Sequence, residues 1–296
     1  MIDQCIKKIL NAQIYDLVEE TPVTSARLLS EGLNNEVFLK REDLQPVFSF
    51  KLRGAYNKLL SLSEEQKACG VIAASAGNHA QGVALAAKKL GIKATIVMPC
   101  TTPGIKVDSV RRNGSEVVLF GDAFDAACAH AHELQKETGA VFIHPYDDEE
   151  VIAGQGTIGL ELLRQISGDI DIIFVPVGGG GLAAGVATIV KYLRPEIKVI
   201  AVESEDSACL KAAMNAGERV KLPEVGIFAD GVAVAQIGEV TYEYCKQYID
   251  ECITVDTDEI CAAIKDFYED TRSITEPAGA LSLAGLKKYV KQHDLK

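Results

Sequence analysis

Residues 172–190, IIFVPVGGGGLAAGVATIV, run 19 positions without a charge. That length suits a membrane span, and the Gly181–Gly185 spacing suits helix pairing within one. But Pro176 and four consecutive glycines break any helix near its start. The alternative is a buried strand, a glycine loop and then a helix. Parallel strands are apolar on both faces, so the missing charge is expected of them.

The region upstream repeats that alternation. Val71–Ala74 is a short apolar run entering Ser-Ala-Gly-Asn-His. A helical pattern follows over 80–90, with Lys88 and Lys89 in its last turn and Gly91 beyond it. Cations at the negative end of the helix dipole and a glycine at the cap are stop signals. Strands are expected at 94–98, 116–120, 141–143, 172–177 and 198–202. Helices are expected at 105–112, 123–137, 157–166, 182–193, 206–216, 241–248, 259–270 and 278–289. Strands separated by helices imply right-handed βαβ units, hence an α/β fold with mostly parallel sheets. For 296 residues two open, twisted, helix-flanked sheets are expected rather than one. Asp147–Glu150 is the expected surface crossing between them.

Charge and cysteine usage narrow the partners. Thirty basic against 42 acidic residues give a net charge of -12. A field of that sign repels phosphate backbones, so no nucleic acid partner is expected. The eight cysteines form no C-x-x-C pair and show no zinc spacing with histidine. They read as thiols in a reducing, cytoplasmic compartment. The first ten residues, MIDQCIKKIL, do not read as a signal peptide, and no membrane association is expected.

Three segments could carry chemistry. Gly178–Leu182 lies between a strand and a helix, where backbone N–H groups and the helix dipole suit a phosphate. Gly178, Gly180 and Ala183 also fit a loose dinucleotide fingerprint, with Glu203 ending the next strand as a ribose-binding acid. That alternative is an NAD-dependent oxidoreductase, and it leaves the other motifs unused. Ser75–His79 is a second strand–loop–helix junction. Its N–H groups and the Ser75 hydroxyl suit a carboxylate, and the Asn78 amide can donate to an oxyanion. Alone, it reads more readily as an ordinary helix N-cap. Lys51 stands among Phe48, Phe50 and Leu52. Apolar surroundings disfavour an ammonium ion and free the amine lone pair for attack. An activated lysine, a phosphate cradle and a carboxylate cradle together match an amino acid held on pyridoxal phosphate.

The segments KREDLQPVFSFKLRGAYN, SAGNHAQGVA, VIAGQGT, FVPVGGGGLAAG, AVESEDSACLKAA, GIFADGVAV, ITVDTDEICAAIKD and TEPAGALSLAG occur in that order. With them the chain resembles the pyridoxal-phosphate-dependent serine/threonine dehydratases of the tryptophan synthase β-like fold (fold type II). Within that family it is most similar to the biosynthetic threonine ammonia-lyases. The resemblance implies a large cofactor- and phosphate-binding domain of residues 1–45 and 149–296, and a small substrate-carboxylate-binding domain of residues 46–148. It implies that Lys51 carries the cofactor covalently and Phe50 packs on its ring. Asn78 would bond the ring hydroxyl oxygen, and Gly178, Gly179, Gly180, Gly181 and Leu182 would hold the phosphate. Ser75, Ala76, Gly77, Asn78 and His79 would bind the substrate. The implied reaction is α,β-elimination from L-threonine, and more weakly L-serine, giving 2-oxobutanoate and ammonia on the way to isoleucine. A β-replacement activity like that of cysteine synthases is the nearest chemical alternative.

Racemases of the family place a hydroxyl where this chain has Ala76, and a metal-binding carboxylate where it has Cys209. No racemisation and no essential divalent metal are therefore expected. The resemblance also implies a homodimer or homotetramer. The family's isoleucine-sensing domain and its partner for the pyridine nitrogen both lie beyond the position matching Lys296. The expectation is a catalytic part without feedback control, either active or impaired for want of that partner.

Overall fold

The computed structural model describes residues 2–296. Nine strands form among them: β1 (Val23–Ser25), β2 (Phe38–Lys40), β3 (Val71–Ala74), β4 (Ala94–Met98), β5 (Glu116–Leu119), β6 (Val141–Phe142), β7 (Ile172–Pro176), β8 (Lys198–Ser204) and β9 (Glu251–Val255). They make two parallel sheets, ordered β5-β4-β3-β6 and β7-β8-β9, and one antiparallel pair, β1-β2. The two helix-flanked parallel sheets agree with the sequence reading. The short antiparallel pair and β9 were not expected.

The chain divides into two compact units. One comprises Met1–Ile6, Thr21–Arg41 and Gly156–Lys296, the other Lys7–Glu20 and Glu42–Gln155. These boundaries differ from 45/46 and 148/149. Residues 7–20 and 42–45 group with the smaller set, and the second boundary falls inside the helix Glu149–Gln165. Asp147–Glu150, the expected surface crossing, fall within the smaller unit. The Asp148 carboxylate accepts from the N–H groups of Glu150 and Val151 at 2.8 and 3.2 Å, so this segment starts a helix.

In the smaller unit all four residues of β3 are buried. Their alternation feeds two cores, as the two-residue period of a strand requires. Val71 and Ala73 pack with Ala94, Ile96 and Met98 of β4 and with Leu52, Tyr56 and Val83 of two helices. Ile72 and Ala74 pack on the other face with Val97, Ala127 and Ala131. This two-sided burial is why the strands are apolar without a break.

In the larger unit Val199–Val202 of β8 are fully buried. Ile200 and Val202 meet Ala280, Leu281 and Ala284 of the helix Pro277–His293. That helix comes so close that a Cβ on Gly285 would stand 2.5 Å from Val202 Cγ2. No described helix is long and apolar enough to cross a membrane.

Two glycines in the smaller unit set a close helix crossing. A Cβ on Gly154 would lie 2.5 Å from the Arg53 carbonyl oxygen and 2.6 Å from Gly54 Cα. Gly154→Ala is therefore expected to destabilise by about 1–3 kcal/mol, because overpacking outweighs the helix propensity gained. At Gly32, in the helix Arg27–Leu33, an added Cβ meets nothing within 4 Å. Gly32→Ala should be neutral or stabilise by up to about 1 kcal/mol. Urea melts of the two variants test the contrast, and equal shifts would contradict it.

Candidate active site

Lys51 is the first residue of the helix Lys51–Leu60, with Phe50 at its N-cap. Two contacts fix the start of this helix. Arg53, fully buried, donates from Nε and one terminal nitrogen to the two oxygens of Glu42, both at 2.8 Å. A fork-on-fork pair of this kind is directional as well as strong. On another side, Gly82 of the helix Asn78–Leu90 faces the Lys51 backbone. A Cβ there would lie 3.1 Å from the Leu52 nitrogen and 3.2 Å from the Lys51 carbonyl oxygen. The Lys51 side chain is half-buried, with Nζ 5.4 Å from the Phe50 ring centroid. Nζ donates to the Pro145 carbonyl oxygen at 3.0 Å.

Sequence reasoning missed Pro145. It lies in the turn His144–Asp147, just past the carboxyl end of β6, where ligands collect in parallel sheets. Two histidines hold this turn. His79 Nε2 bonds the Ile143 carbonyl oxygen at 2.8 Å, so that nitrogen carries the proton. Burial, and next the charge of Lys51, push the His79 pKa down to about 3, so the ring is neutral. His144 Nδ1 accepts from the N–H groups of Tyr146 and Asp147 at 3.3 and 2.8 Å, and burial lowers its pKa too. His79, expected to bind substrate, is buried, and its ring is bonded to the carbonyl at the start of the turn that receives Lys51 Nζ.

Ser75, Ala76, Gly77 and Asn78 are partly exposed between β3 and the helix Asn78–Leu90. The N-cap reading of this segment does not hold for its side chains. Gly77 is the N-cap, and it has no side chain to cap the first turn. Ser75 Oγ instead accepts from the Gly77 N–H at 3.2 Å, bending the loop. A Cβ on Gly77 would meet nothing within 4 Å, so this face of the loop is open. The N-terminus of a 13-residue helix with a glycine at its N-cap suits a carboxylate.

In the larger unit the loop after β7 is built in layers. The carbonyl oxygens of Gly178, Gly179 and Gly180 accept from Cys209 Sγ at 3.5 Å, Thr241 Oγ1 at 2.7 Å and Cys245 Sγ at 3.9 Å. Burial and the charge of Glu203 raise both thiol pKa values, that of Cys209 to about 12, so both stay S–H donors. In a trans peptide the N–H points opposite to the preceding C=O. The N–H groups of Gly179, Gly180 and Gly181 therefore point away from these three side chains. None of them, nor that of Leu182, has an acceptor among the described residues. Gly179, Gly180 and Gly181 are nonetheless buried. Orphan buried N–H groups at the start of the helix Gly181–Leu193 fit a phosphate.

Glycine is required at two of these positions from behind the loop. A Cβ on Gly178 would stand 2.9 Å from Val232 Cα. At Gly180, where φ is +90°, it would stand 2.7 Å from Ile237 Cδ1. The dinucleotide alternative fails at Glu203, which is fully buried. Its two oxygens accept from the N–H groups of Leu210 and Lys211 at 2.8 and 2.9 Å, capping the helix Cys209–Ala216. No oxygen is left over to pair with a ribose.

The residues thus supply what pyridoxal phosphate needs: a lysine amine, an anion site for a carboxylate and an amide nest for a phosphate. The chain is 61% identical over 290 residues, 98% of its length, to the L-threonine dehydratase biosynthetic IlvA of Pasteurella multocida (strain Pm70). It spans just over half, 56%, of that relative's length. The structure of the processed form of threonine deaminase isoform 2 from Solanum lycopersicum superposes with a TM-score of 0.98 at 50% identity, over 100% of this chain and 86% of that one. Maize serine racemase superposes with a TM-score of 0.91 at 38% identity, over 94% and 85%. The profile of the pyridoxal-phosphate dependent enzymes matches residues 14–296, and with the lysine, the carboxylate cradle and the amide nest all inside that span, the chain belongs to this family.

Proposed function

We propose that the chain is the catalytic part of a biosynthetic L-threonine dehydratase. It converts L-threonine to 2-oxobutanoate and ammonia, and acts more weakly on L-serine. The observation that carries this reading is Lys51. Its amine is held at the Pro145 carbonyl, on a helix packed against the one that Ser75–Asn78 lead into. Similarity over nearly the whole chain to the Pasteurella multocida enzyme supports the choice of threonine.

When bound, pyridoxal phosphate supplies an electron sink for the charge left at the substrate α-carbon. Lys51 Nζ takes the α-proton as general base. The Pro145 oxygen, 3.0 Å from Nζ, accepts from the ammonium ion so formed. The N–H groups opening the helix Asn78–Leu90, with Ser75, hold the substrate carboxylate, and the Asn78 amide bonds the cofactor ring oxygen. Phe50 would pack on the ring, and the amides of Gly179–Leu182 would hold the phosphate. Elimination of the β-hydroxyl releases an enamine, which hydrolyses to the keto acid and ammonia. The reading includes a place at the start of isoleucine synthesis, a reducing cytoplasm and a homodimer or homotetramer. Buried thiols such as Cys209 and Cys245 support the compartment.

Lys51→Ala is expected to lower 2-oxobutanoate formation from L-threonine at least about a thousandfold, since the base is gone. Turnover within tenfold of the native chain would sink the assignment. Ala76 offers a methyl where proton delivery to the other face of the α-carbon would need a hydroxyl. Chiral chromatography after prolonged incubation with L-threonine or L-serine should therefore show no D-isomer.

His79 adds a pH dependence. Its pKa is about 3 in the fold and near 6.5 unfolded, so the unfolded chain binds more protons between those values. The stability it contributes is complete above about pH 6.5 and is lost as pH falls towards 3, by up to about 1.4 kcal/mol per unit. His144 acts in the same direction. Urea unfolding at pH 7 and pH 5 should show a smaller loss in His79→Gln than in the native chain. Parallel profiles would mean that His79 does not titrate on unfolding.

A further inference from the structure

We propose that Thr241 is a positioning residue for the phosphate group of the cofactor, acting through the peptide between Gly179 and Gly180. This rests on the reading that the glycine loop holds that phosphate. Thr241 is fully buried on the helix Glu239–Tyr248, and its hydroxyl donates to the Gly179 carbonyl oxygen at 2.7 Å. The Gly238 N–H reaches the same oxygen at a longer 3.4 Å. Because the peptide is planar and trans, holding that oxygen inward holds the Gly180 N–H outward.

The peptide needs this restraint. Glycine lies on both sides of it, so sterics alone leave its plane free to turn. A turned peptide would aim a carbonyl oxygen where an anion is to sit. Of the flanking carbonyls, that of Gly180 is also held by the Ala184 N–H of the following helix at 2.8 Å, and that of Gly178 meets the Cys209 thiol, a weak donor. Thr241 is thus the one hydroxyl among the three side chains that anchor the loop. Its Cβ and Oγ1 would also lie 3.0 Å from any Cβ placed on Gly180, so the hydroxyl and the glycine are fitted to each other. Threonine here does what no apolar isostere can: it fills the space behind the loop and fixes the direction of an amide in front of it.

The test compares pyridoxal phosphate with pyridoxal, which lacks the phosphate, by absorbance titration of the full chain depleted of cofactor. The native chain should bind pyridoxal phosphate much more tightly than pyridoxal. Thr241→Val keeps the shape and removes the donor. It is expected to weaken pyridoxal phosphate at least tenfold while leaving pyridoxal within twofold. Thr241→Ser keeps the donor and should bind both as the native chain does. Three results would overturn the proposal: unchanged discrimination in Thr241→Val, equal loss of both vitamers in it, or lost discrimination in Thr241→Ser. The last stands even if the valine variant does not fold. A native chain that bound the two vitamers equally would instead overturn the phosphate reading of the loop itself.

Discussion

The smaller unit depends on how closely two helices approach. Lys51–Leu60 and Asn78–Leu90 meet where Gly82 lies against the Lys51 carbonyl, with room for almost nothing between them. Each helix begins at a part of the proposed site. One starts with the lysine, the other with the loop that follows Ser75. A close, apolar crossing therefore sets the spacing between the amine and the carboxylate cradle, and packing forces maintain it. Interiors are dense and poorly compressible, so such a contact transmits position reliably. Arg53 and Glu42 add direction to the same helix start.

The phosphate site proposed in the larger unit poses a different problem, that of offering amides to an anion without losing them to the protein. Backbone N–H groups are normally consumed by secondary structure. After β7 the chain frees several in succession by satisfying the carbonyl edge of the same peptides from behind. Cys209, Thr241 and Cys245 come from two helices distant in sequence, so this backing depends on the completed fold. The glycines at 178 and 180 belong to this arrangement as much as to any ligand, since Val232 and Ile237 occupy the space a Cβ would need.

Much of this was legible in the residues. β3, β4 and β7 stand close to where the apolar runs put them, because burial on both faces leaves an uninterrupted signal. The helix Glu149–Gln165 was read as starting at Thr157, since Gly154 and Gly156 look like breakers. Gly154 is a packing site instead, and its cost in propensity is offset by the crossing it permits. β9 was missed because Glu251 is exposed and the strand pairs on one side only, which dilutes its pattern. Lys51, Ser75–Asn78 and the glycine loop stood out as motifs. Pro145 and Thr241 did not, because both act at carbonyl oxygens brought near by folding, and a backbone acceptor leaves no mark on side-chain chemistry.

Glu203 shows how one pattern can support two chemistries until its hydrogen bonds are counted. A glycine loop, a helix and an acid at the end of the next strand describe a dinucleotide site as well as they describe this one. The difference is what the acid is bonded to. An acid that binds ribose must keep an oxygen for it, and keeping one means facing solvent or ligand. Here both oxygens accept helix N–H groups, and the Cys252 thiol donates at 3.3 Å to the oxygen that also serves Lys211. Burial raises the Glu203 pKa, against which these three donors stabilise its charge. Such an acid is a structural cap for the helix Cys209–Ala216, the helix that brings Cys209 behind the glycine loop. The residue that seemed to argue for a second cofactor thus helps build the support for the first.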